Sequence, residues 1–305
     1  MLRPSSRHTA PMIAILGGTG AALCWAVAVL TTSRAARLIG PWSTLAAVMA
    51  IGLVVTVPAM LISSGPVSIG TRELTLMAVI GASNVGGLFL AYTALRGGNV
   101  SVVAPILSTE GAIAAVIAVI AGEHLAPGAG PILGAIVIGV VFATREGTNP
   151  ASAGSDEATA EPVLPHAPPI RTAAVALGAA MAFGVNIYLI GLLGSSLPAI
   201  WTALPARVLG TVAVAVPLVA LGRFRMTRRA LPLVGAAGVA EVAGTVSLAF
   251  GARESIAVAS VMASQFAAIA AIAAVILFRE RLSRIQVLGI ATIAVGVALL
   301  SILGS

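Results

Sequence analysis

"ALRGGNVSVVAPILSTEGAIAAVIAVIAGEHL", residues 94–125, and "GARESIAVASVMASQFAAIAAIAAVILFRERL", residues 251–282, are two versions of one pattern. At an offset of 157 positions they pair Arg96 with Arg253, Glu123 with Glu280 and Leu125 with Leu282. The same offset aligns 74–140 with 231–297 without a gap, adding Leu74/Leu231, Gly81/Gly238, Gly87/Gly244 and Gly139/Gly296. Only 9% of the chain is charged, so shared composition does not account for two coincident charged pairs. An offset of 159 then matches Trp42 with Trp201 and Pro58 with Pro217. The sequence therefore reads as an internal duplication.

Composition decides what is duplicated. Of the 305 residues, 59% are apolar, and the mean hydropathy is +1.08; soluble domains are about 45–50% apolar and about 25% charged. Stretches of about 20 apolar residues cross the hydrocarbon of a bilayer. They fall near 10–31, 39–64, 73–95, 101–122, 126–144, 171–194, 197–221, 229–252, 256–278 and 285–303. The first resembles the other nine and is too long for a cleaved signal peptide. Residues 145–170, rich in Pro, Ala and acids and holding the sole aspartate, Asp156, read as a solvated linker. The expected division is a first repeat at 1–145, a linker at 146–170 and a second repeat at 171–305. Five is odd, so the halves cross in opposite directions. The fold class expected is an all-α integral membrane protein, with ten transmembrane helices in a 5+5 inverted repeat.

Several classes are disfavoured. All seventeen basic residues are arginines placed mainly in loops, which fits charges flanking a membrane and not a nucleic-acid surface. Cys24 is alone, and His8, His124 and His166 are scattered without ligand spacing, so no metal or other cofactor is expected. A membrane enzyme acting on lipid or isoprenoid substrates would need an aspartate-rich metal motif or a nucleophile arrangement, and neither is found.

The stretch 94–125, followed by "GAIVIGVV", resembles the end of an EamA domain: a small-residue turn, a helix, a Gly-Glu-x-Leu turn and a last helix containing glycine. Residues 251–282, followed by "GIATIAVGVALL", resemble the same element, with Arg279 replacing the glycine of the turn. Two tandem EamA domains imply the drug/metabolite transporter superfamily, whose members mostly export amino acids, other metabolites or drugs. Small multidrug transporters, distant relatives, carry an essential glutamate in their first helix. The corresponding second and seventh helices here contain no acid, so that site does not carry over.

Three ionisable residues lie near the middle of predicted spans: Glu110 in the fourth, Arg207 in the seventh and Glu241 in the eighth. Each costs about 2.5–3.5 kcal/mol on insertion scales, which makes intramembrane charges candidates for function. The repeat adds polar residues at equivalent places, Asn84 with Glu241 and Ser108 with Gln265, and Asn186 is a weaker candidate in the sixth helix. These seven form the expected substrate site. Two structural roles compete: Arg207 and Glu241 as an ion pair fixing neighbouring helices, and the amides and hydroxyl as interhelical hydrogen bonds. The repeat equivalent of Glu110 is Ala267. That asymmetry favours function, as a carboxyl that exchanges a proton or meets an amine. Glu123 and Glu280, each in a turn before a helix, are expected to be capping residues.

The expected function is export of a small metabolite such as an amino acid by alternating access, with proton coupling as an option. Broad drug efflux is the alternative. The expected partners are the lipid bilayer and a small solute, with no nucleic acid, in a monomer or homodimer. With the N-terminus cytoplasmic, four loop arginines fall inside and twelve outside, against the positive-inside rule. The family resemblance implies cytoplasmic termini; a reporter fused after Ser305 decides between them.

Overall fold

Lipid offers no partners for backbone N–H and C=O groups, so a spanning chain satisfies them within helices. The computed structural model describes residues 10–63, 67–97, 106–125, 127–144, 169–266, 268–269, 273 and 284–303, and among them no strand occurs. The helices are α1 (Ala10–Ile39), α2 (Pro41–Ser63), α3 (Thr71–Gly97), α4 (Glu110–Ile120), α5 (Ala129–Thr144) and α6 (Pro169–Ser196), followed by α7 (Ala199–Ala220), α8 (Leu231–Gly251), α9 (Ile256–Ala263) and α10 (Arg284–Leu303). Among the described residues, α1, α2, α3, α6, α7 and α8 are long and apolar enough to cross a membrane. Most of the linker, with Asp156 and His166, lies outside the described residues, as do His8, Arg279 and Glu280. The last two residues assigned to the linker, Pro169 and Ile170, open α6, where a proline suits the first turn because its absent N–H needs no partner.

α7 is segmented. A 3-10 turn at Ala199–Thr202 leads into an α-helix at Leu204–Gly210, a π turn at Thr211–Ala215 and a last α-turn at Val216–Ala220. Pro205 and Pro217 each stand at the start of a segment, where the missing N–H and ring sterics favour a change of helix type. The N–H of Val216 reaches back five residues to the Thr211 carbonyl, a π-type bond.

Helix association in lipid depends on van der Waals contact and polar bonds, so small residues are favoured where helices cross. The central cluster includes Ala21, Ile80, Ala114, Ile187, Leu193, Leu248, Ala249 and Ala259, drawn from six helices. α1 packs on α8 and α9, and α6 packs on α3 and α4; α2 packs on α8, and α7 packs on α3. α2 meets α7, α4 meets α9, and α5 meets α10. Exchanging every helix for the one five places away turns α1–α8 into α6–α3, α1–α9 into α6–α4 and α2–α8 into α7–α3, and returns α2–α7, α4–α9 and α5–α10 to themselves.

The glycines follow the same reciprocity. A Cβ on Gly81 would stand 3.0 Å from the Pro205 carbonyl of α7, and one on Gly238 would stand 2.8 Å from Ile51 of α2. Gly87 faces Phe183 of α6 as Gly244 faces Trp25 of α1, and Gly139 and Gly296 sit where α5 and α10 cross. At one end of the bundle, the amide of Arg225, between α7 and α8, donates to Ser43 Oγ near the start of α2 at 3.1 Å. At the other, the turns after α4, α6 and α8 are joined by bonds that Glu123 accepts and Arg253 donates.

Candidate functional site

α4 and α9 are both interrupted, at nearly equivalent places. In the fourth expected span, Ile106 and Leu107 are helical, Ser108 and Thr109 form a turn, and α4 resumes at Glu110. The Ile106 carbonyl accepts from Thr109 Oγ1 at 2.7 Å and from the Thr109 amide at 3.1 Å. In the ninth, α9 stops at Ala263, where Ser264 Oγ donates to the Val261 carbonyl at 2.9 Å and the Gln265 amide shifts to the Met262 carbonyl at 3.3 Å. In both, a hydroxyl takes a carbonyl that would otherwise accept a helical N–H, and the helix tightens and turns. This corrects the placement of Glu110 in a continuous helix: it occupies the first turn of α4, next to the positive end of the helix dipole.

The two interruptions touch. A Cβ on Gly111 would run into the Ser260 carbonyl and stand 2.7 Å from Ser264 Oγ. On the other side of α4, a Cβ on Gly184 of α6 would lie 2.6 Å from Ile113 and 3.0 Å from the Glu110 carbonyl. Glycines at 111 and 184 thus let α4 sit closely between α9 and α6.

Around this contact lie the expected site residues. Ser108 is 2% exposed, Glu110 7% and Gln265 8%. No hydrogen bond from a described residue reaches the Glu110 carboxylate, and Glu241 lies within electrostatic reach of it. Among the described residues, Gln265 Nε2 meets the thioether of Met262 alone, at 3.3 Å. Arg207 is buried in α7; its Nη2 donates to Glu241 Oε2 at 3.0 Å, its Nη1 meets Met49 Sδ at 3.3 Å, and its Nε has no partner. A guanidinium has five N–H donors, and here a single carboxylate oxygen is the one strong acceptor. Glu241 itself is about one-third exposed, so the pair borders open space.

Two candidates stand apart. Asn186 Nδ2 donates to the Ile80 carbonyl at 2.8 Å and to Ser83 Oγ at 3.2 Å, which commits its amide to holding α6 against α3. Asn84, the repeat equivalent of Glu241, has a buried Oδ1 without a partner.

Sequence reasoning left out Met49, Gly52, Thr109 and Ser264. Thr109 and Ser264 carry the back-bonds, and a Cβ at Gly52 would stand 2.7 Å from Arg207 Cδ. The available signal was a hydroxyl residue beside each polar member of the repeat pair Ser108/Gln265. Glu123 does act as a cap, but on α9 and not on the helix that follows it. Its carboxylate accepts from Ser255 Oγ, from the Ile256 amide at 3.1 Å and from the Ala257 amide at 3.2 Å. No group of three or more potential metal ligands occurs among the described residues. An apolar groove lined by Pro131, Ala135, Ala291 and Val295 runs between α5 and α10, and no member of the site lines it.

A crystal structure with 17% sequence identity shares this fold, with a TM-score of 0.72 over 98% of this chain and 99% of the other. No curated protein matches the sequence. Six apolar spanning helices among the described residues make the chain a multi-pass membrane protein, and its residues 12–145 match the EamA-like transporter family.

Proposed function

We propose that the chain is a secondary transporter of the cell membrane, of the drug/metabolite type. It exports a small solute bearing both a carboxylate and an amine, such as an amino acid, by alternating access between two inverted five-helix repeats. The observation that carries this reading is the contact between the interrupted α4 and α9 beside the buried Glu110. Discontinuous helices near the midplane, at the interface of two repeats, are where such transporters hold solutes. The reciprocal packing of helices and glycines supports the ten-helix, 5+5 architecture.

The chemistry supports the solute class. Arg207 has donors to spare for a carboxylate, and the Glu110 carboxylate, which accepts no hydrogen bond among the described residues, can receive an ammonium group or a proton. Arg207, Glu241 and Glu110 carry one net negative charge when all are ionised. One proton neutralises it, whereas a zwitterionic amino acid leaves it unchanged, so exchange of one proton for one solute moves one net charge. Ser108 and Gln265 are assigned to the solute's remaining polar groups.

The test is counterflow of labelled amino acids in proteoliposomes, comparing the wild type with Glu110→Gln. Loss of flux, or flux that no longer responds to a pH gradient, is expected from a variant with unchanged melting behaviour. Normal, pH-dependent flux by that variant rejects the role of Glu110. Resistance to a panel of toxic drugs without amino-acid flux would establish broad efflux instead.

A further inference from the structure

We propose that Glu123 is the latch of a gate: α4 and α9 form a clasped pair that seals the path from the helix interruptions to the end of the molecule bearing the α4–α5 turn, and parting them opens it. This deepens the transporter reading and rests on it.

The pair runs from the site to that end. Near the interruptions, Gly111 lies against Ser260 and Ser264. Further along, Ala115 and Ala118 of α4 share a cluster with Ala257, Val258, Val261 and Met262 of α9. At the end, Glu123 accepts from Ser255 Oγ and from the amides of Ile256 and Ala257, 132 to 134 residues away in the chain. Among the described residues, the hydrogen bonds joining the α4–α5 turn to α9 all run through this one carboxylate.

Two features argue for a latch over a plain cap. The start of α9 already has its own cap, because Ser255 Oγ accepts from the Val258 amide at 3.1 Å. The same segment is anchored separately: Arg253 Nε donates to the Gly194 carbonyl at 2.8 Å and its Nη2 to the Leu197 carbonyl at 3.2 Å, holding the start of α9 to the end of α6. Release of Glu123 therefore frees α4 from α9 while α9 keeps its cap and its anchor. Much of the contact beneath is alanine, glycine and serine, which separate without withdrawing long interdigitated side chains.

The test uses Cys24→Ser, which removes the lone cysteine, with Ser260→Cys as reporter at a fully buried seam position. A membrane-impermeant maleimide is applied to one face of reconstituted vesicles at a time, and a separate His124→Cys control identifies the face carrying the latch. Adding Glu123→Ala should raise labelling about tenfold, from the latch face alone, because loss of a charge-assisted bond shifts the closed–open population by that order. Glu123→Gln, which keeps one acceptor oxygen, gives a smaller rise and carries the test if Glu123→Ala does not fold. Unchanged labelling in variants that still melt cooperatively, or an equal rise from both faces, overturns the latch. Solute flux is measured on the same vesicles. Flux without a labelling change rejects the latch alone, and a one-sided labelling change without flux upholds the latch while rejecting the transporter reading.

Discussion

Gly52 of α2 lies under the arm of Arg207 on α7: a Cβ at position 52 would stand 2.7 Å from Arg207 Cδ and 3.1 Å from its Nε. The same guanidinium donates to Glu241 at 3.0 Å. Gly52→Ala therefore displaces the arginine without touching a charge. Transport should fall about tenfold, equivalent to about 1.4 kcal/mol, with little change in detergent melting temperature. Initial flux rates and a thermal melt check this together.

The ion pair gives a second expectation. Arg207→Met leaves Glu241 without its cation and should cost about 1–3 kcal/mol, below the 3–5 kcal/mol typical of fully buried pairs because Glu241 is partly exposed. Adding Glu241→Leu should recover most of that stability. Transport should stay abolished in the double variant if the pair serves the solute, and return with stability if it only fixes helices. Denaturation and flux on the three proteins separate the two.

Glycine substitutions should sort by local space. Gly111→Val and Gly184→Val drive side chains into α9 and into Ile113, and each should lose about 1–3 kcal/mol by overpacking. Gly134→Ala and Gly235→Ala meet no atom within 4 Å and lie inside helices, so each should be neutral or gain up to about 1 kcal/mol from helix propensity. Thermal melts of the four variants test the ordering.

Asn186→Ala should behave as a packing mutation. It removes two bonds between α6 and α3, a loss of about 0.6–2 kcal/mol in a membrane protein. The melting temperature should drop while relative rates across a solute panel stay as in the wild type. A changed rank order of solutes would return Asn186 to the binding site.

Several close helix crossings were legible because they leave glycines in the sequence. Gly81 with Gly238, and Gly87 with Gly244, align in sequence, and the members of each pair make reciprocal crossings. The burial of Glu110 was legible from its apolar surroundings. The turn that precedes it was not, because it arises from Thr109 Oγ1 bonding back to its own chain, which hydropathy does not register. Nor was the target of Glu123 legible: a carboxylate in a turn suggests the nearest helix start, whereas its partners lie 132 to 134 residues away. The Arg207–Glu241 pairing was foreseen among the competing roles, while the space beneath Arg207 depends on Gly52, across a helix interface.

The interruption of α4 has an electrical consequence. From Glu110 to Ile120 the helix is 11 residues long, about 16 Å at 1.5 Å per residue, or about half of a 30 Å hydrocarbon layer. In the proposed transporter, with the end of α4 at the nearer face, a charge passing between Glu110 and that face crosses about half of the transmembrane voltage, about 1.2 kcal/mol per 100 mV. An unbalanced charge carried along that route generates a current and answers to membrane potential, so the stoichiometry of charge per solute can be read with an electrode.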